Sequence, residues 1–108
     1  MNETIIMQIA IHLLEVWLLS LGFQPTGDFD ADDINCVRTY GPYLIITVQA
    51  RIPDGLAIDR SVLIANLQRF LDEQASLPGA LRFNAYNIDL YDSPYCGAYV
   101  FASIEHTA

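Results

Sequence analysis

Residues 43–52, YLIITVQARI, alternate without a break. Leu44, Ile46, Val48, Ala50 and Ile52 share one parity, and Tyr43, Ile45, Thr47, Gln49 and Arg51 share the other. Successive side chains of a strand point to opposite faces, so this run is a strand with one core face and one amphipathic face. Gly41-Pro42 ahead of it and Pro53-Asp54-Gly55 behind it are turn formers that bound it. The stretch is therefore a long sheet strand, and its neighbours decide what covers the core face.

Downstream, Asp59 is placed to cap a helix over residues 60–76. Leu63, Leu67, Phe70 and Leu71 form its apolar stripe, with Ile64 beside it, and Pro78-Gly79 stops it. Residues 81–91 predict a second strand whose phase changes midway. Leu81, Phe83 and Ala85 have one parity, and Tyr86, Ile88 and Leu90 have the other, which predicts a bulge near Ala85-Tyr86. Residues 98–106 predict the last strand, with Ala98, Val100, Ala102 and Ile104 inward and Tyr99, Phe101, Ser103 and Glu105 outward. Asp92-Ser93-Pro94 and Gly97 make the turn between these strands, so Tyr91, Tyr95 and Tyr99 line a hairpin and its tip. Cross-strand packing accounts for such tyrosines, and an exposed aromatic tip also suits docking on another protein.

Upstream, residues 34–40 predict a short strand, and residues 23–33 a loop rich in aspartate. Residues 4–21 form an apolar helix. Ile5, Ile6, Ile9, Ala10, Leu13, Leu14, Val16, Trp17 and Leu21 have helical spacing, and Met7, Ile11, Leu18 and Leu19 fill most remaining faces. Gln8, His12 and Glu15 form its one polar stripe, and Gly22 ends it. These polar residues interrupt the run and nothing basic flanks it, which argues against a membrane span. A helix apolar on most faces is buried on two sides. The expected fold is a single α+β domain over residues 1–108. Two helices pack on one face of a mainly antiparallel four-stranded sheet, in the order α-β-β-α-β-β.

The chain has 108 residues, a formal net charge of −8 and 53% hydrophobic residues. That length suits one core. The composition is oily for a lone monomer, so part of the apolar surface is expected to meet a partner. The candidate interaction residues are Met7, Ile11, Leu18, Leu19, Tyr43, Ile45, Tyr95, Tyr99 and Phe101. All five cations are arginines: Arg38, Arg51, Arg60, Arg69 and Arg82. The absence of lysine excludes a P-loop and a Schiff base, and the acidic balance argues against direct nucleic-acid binding. It suits a basic protein partner or DNA mimicry.

Chemical motifs fail one by one. The 28–33 segment places aspartates like a calcium loop, but the sixth place is Asp33 rather than glycine and the twelfth is Thr39. Cys36 and Cys96 form no zinc or disulfide pattern, and the opening residues carry no leader signature, so a reducing cytosol is expected. Cys96 and His106 on one extended strand stand about 33 Å apart, too far for a thiol dyad. Cys36 with His12 is open geometrically, but nothing around either residue specifies it. No GxSxG or GxGxxG is present. No catalytic residue, metal or cofactor is expected.

Four stretches, PYLIITVQARIPDG, DRSVLIANLQRFLDE, LRFNAYNIDLYDS and GAYVFASIEH, follow an opening helix, TIIMQIAIHLLEVWLLSLGF. In that layout the chain resembles the tail-terminator and tail-completion proteins of long-tailed bacteriophages. The segment over residues 23–40 is shorter than the family's, which holds another strand there. The resemblance implies a homo-oligomeric, hexameric ring that caps the tail tube and joins it to the head–tail connector. It also implies location in the virion or host cytoplasm. It assigns no role to any single residue. The alternative is an acidic protein-binding module: a phage inhibitor of host defence, a DNA mimic or a secretion chaperone.

Overall fold

A computed structural model of the chain describes residues 2–25, 36–95 and 97–107. The first element is α1, Glu3–Ser20. Asn2 caps it by accepting the Ile5 N–H at 2.9 Å. Its C-terminus closes as a Schellman motif. The Gly22 N–H donates to the Leu19 carbonyl and the Phe23 N–H to the Leu18 carbonyl, with Gly22 at φ +84°. Phe23 and Leu18 are both buried in the core, which supplies the apolar contact that accompanies this motif.

Among the described residues five strands follow, one more than expected: β1 (Gln24–Pro25), β2 (Cys36–Tyr40), β3 (Tyr43–Arg51), β4 (Asn84–Ser93) and β5 (Gly97–Thr107). Every pairing is antiparallel. The order is β1-β3-β5-β4, with β2 also on β3. Because β5 occupies one side of β3, β1 and β2 share the other. β1 sits opposite Ala50 and Arg51, and β2 opposite residues 43–47. The expected loop over residues 23–33 thus begins with a two-residue strand. Its Pro25, which has no N–H to give, is tolerated because the strand is an edge. The predicted bulge is present, as a register shift between Ala85 and Asn87. The strand predicted over residues 81–91 starts later, at Asn84, and runs on to Ser93.

The second helix, α2 (Arg60–Ala75), starts where Asp59 accepts the Ser61 and Val62 N–H groups, a cap worth about 1 kcal/mol. Both helices cover one face of the sheet. Ala10, Leu14, Trp17 and Leu18 of α1 meet Leu63, Leu67 and Leu71 of α2 over Leu44, Ile46, Val48, Ala50, Ile88, Val100, Ala102 and Ile104. The Trp17 indole N–H donates to the Asn66 amide oxygen at 2.8 Å and ties the helices together. Leu18, expected to face outward, is 0% exposed, because the Schellman turn holds it beside Phe23.

Candidate protein-interaction surface

Once α1 has placed Ala10, Leu14, Trp17 and Leu18 in the core, its opposite side is fixed. Ile5 stays 42% exposed, Val16 41% and Leu19 56%. Ile9 is half-buried and His12 exposed between them. Ile5, Ile9, His12, Val16 and Leu19 follow one another at intervals of four, three, four and three residues. That is the spacing of a heptad seam, along a helix about 27 Å long, with a polar histidine in its middle layer. Gln8 and Glu15 border the seam. Of the expected contact residues on α1, Leu19 lies on this face, whereas Met7 and Ile11 are half-buried and follow the row of Leu14 and Leu18 at intervals of four, three and four residues, on the core side of the helix.

The face of the sheet away from the helices carries the second set of expected contact residues. Cross-strand partners share a face, so the register builds it row by row. Tyr43 lies between Tyr40 and Thr107, Ile45 between Arg38 and Glu105, Gln49 beside Phe101, and Arg51 beside Tyr99. Asp89 extends the Phe101 row and Tyr91 the Tyr99 row. Thr47 and Ser103 share a 2.7 Å hydroxyl contact at the centre. Tyr43 is exposed, and Tyr99 and Phe101 are half-buried. Ile45 is 5% exposed, which removes it from the outer surface it was expected to join.

At the β4–β5 turn, Tyr95 is 96% exposed. Its N–H donates to the Ser93 hydroxyl at 3.2 Å, a local turn bond that fixes the backbone and leaves the ring outward. Gly97 follows at φ +90°, a left-handed backbone conformation that glycine adopts without strain.

The free edge of β4 is partly closed by α2. Arg60 donates to the Ile88 carbonyl and to Asn87, and the Gln68 side chain accepts the Ala85 N–H at 2.8 Å. Such side-chain covers blunt edge-to-edge pairing. The helix faces and loop ends are therefore better contact surfaces than the middle of β4.

Chemistry-bearing residues are dispersed. Among the described residues, no three His, Cys, Asp or Glu side chains cluster closely enough to hold a metal ion. The aspartates of residues 28–33, the Cys36 side chain and Cys96 lie outside the described residues. Two shallow depressions lie over the outer face of α2, near Ala65 and Arg69. Glu3–Ser20 is long and apolar enough to cross a membrane by length and composition alone, and here it lies along the sheet. No family model, curated protein or solved structure matches the chain.

Proposed function

We propose that this chain is a non-enzymatic assembly protein that works as a homo-oligomer. Its model is the ring of phage tail terminators, which cap a tail tube and join it to the head connector. The observation that carries this reading is the outward face of α1. Ile5, Val16 and Leu19 remain in solvent on a helix that already buries four other apolar residues against its own sheet. Water penalises exposed apolar area at about 25 cal/mol per Å², so a second copy that covers this face gains what solvent denies it. The short extra strand β1 also falls in the segment where the family holds one. The acidic surface, at net charge −8, suits a basic face on tube or connector.

Electron microscopy of the purified chain, together with its capture on assembled tail tubes, tests this reading. Rings of uniform subunit number bound at one end of the tube are expected. Single copies that bind no tube would overturn it. The same charge supports the second reading, an acidic module that blocks a basic nucleic-acid-handling protein. There, a one-to-one complex displaced by DNA or by salt is the distinguishing result.

A further inference from the structure

The outward seam of α1 has a centre. Ile5 and Ile9 precede His12, and Val16 and Leu19 follow it, so apolar layers flank a polar one on both sides. His12 is exposed. The sheet and α2 take the opposite side of the helix, through Ala10, Leu14, Trp17 and Leu18, so they turn no charged group toward His12. On α1 itself, the polar neighbours one turn away are Gln8 and Glu15. Glu15 is the titratable one, and among the described residues it forms no ion pair with the ring.

Whatever covers the seam must satisfy this imidazole. A neutral ring holds one N–H and one bare nitrogen, and burying either without a partner opposes association. The apolar residues of the seam offer neither a donor nor an acceptor. A second imidazole offers both, because the N–H of one ring can donate to the bare nitrogen of the other. A second copy of the chain brings that ring to the right place with no further condition. When two identical seams overlap along their full length, in either direction, residue 12 meets residue 12, the midpoint of residues 5–19. One polar residue in an apolar seam fixes register in this way. A foreign helix would need its own polar group at the matching layer.

We propose that two copies join through their α1 seams about a two-fold axis at His12, and that protonation of the paired imidazoles parts them. This proposal rests on the oligomeric reading above and adds the register of the joint and its control by pH. The joint makes pairs, so a ring that contains it alternates it with a second contact and holds an even number of copies. An imidazolium only donates, so two charged rings lose their mutual hydrogen bond, repel, and carry charge into an apolar layer. The joint therefore takes the neutral ring, whereas the free chain leaves it in water. Association has its full strength above the ordinary imidazole range, about pH 6.5, and is lost as the pH falls through it. Carboxylates titrate about two pH units lower and stay charged across that window.

Light scattering over a concentration series, at pH 7.5 and at pH 5.5, tests it. The dissociation constant of the native pair should rise roughly ten- to a hundredfold on going to the lower pH. His12→Leu makes the seam apolar throughout and should associate equally well at both. His12→Asp sets two like charges at the centre and should keep the copies apart at pH 7.5. His106→Gln, which alters the chain's other histidine beside the Arg82 carbonyl, should keep the native response. Because His12 is exposed, both of its variants should unfold at midpoints near the native one. A native mass indifferent to pH, a pH response that survives in His12→Leu, or a His12→Asp chain that keeps the native mass overturns this inference and leaves the oligomeric reading standing. A native chain that is monomeric at pH 7.5 at every concentration overturns both.

Discussion

Leu18 and Leu19 are neighbours with opposite fates. The Gly22-Phe23 turn decides between them, because its 6→1 bond places Phe23 against Leu18 and turns both into the core. Leu18→Ala should cost about 2–5 kcal/mol, the range for emptying a buried leucine site. The native mass should be unchanged, because Leu18 meets no partner. Denaturant unfolding alongside light scattering checks both halves, and a smaller assembly with unaltered unfolding would contradict the assignment. The glycine-aromatic pair was in the sequence as the signal that fixes the phase of α1. Helical spacing alone could not supply it, because a helix apolar on nearly every side points equally well in several directions. Ile45 was illegible for a related reason. The alternation gave it the outer parity correctly, but parity does not say what its cross-strand neighbours Arg38 and Glu105 leave exposed.

Elements with a strict period were legible. The β3 alternation, the Asp59 cap and apolar stripe of α2, and the bulge in β4 all stand where residue pattern placed them, give or take a residue at the ends. β1 was not legible, since two residues carry no period and their pairing with Ala50 and Arg51 is a tertiary event. The edge of β4 also depends on tertiary contacts, through Arg60 and Gln68 on α2. Changing both to Ala would free the Ile88 carbonyl and the Ala85 N–H for a foreign strand. Faster aggregation on warming, followed by turbidity and amyloid-dye fluorescence, is expected from that double variant. Unchanged aggregation would mean that the edge is protected by something other than these side chains.

At the scale of the whole molecule, the sequence made surplus apolar surface visible before it made its location visible. Tyr95 was correctly placed because turn residues fix it, and Leu19 was correctly placed on the outside. Ile5 and Val16 lie outward, which their helical spacing alone did not decide, while Leu18 was expected outward and lies inward. The account of this protein turns on whether copies of it cover the outward face of α1. The most direct measurement is the mass in solution of the native chain and of Leu19→Glu, over a wide range of concentration. A defined multiple of 12.1 kDa for the native chain, falling toward a single copy in the variant while its unfolding midpoint holds, is the predicted result. A native chain that stays at 12.1 kDa at every concentration would contradict it.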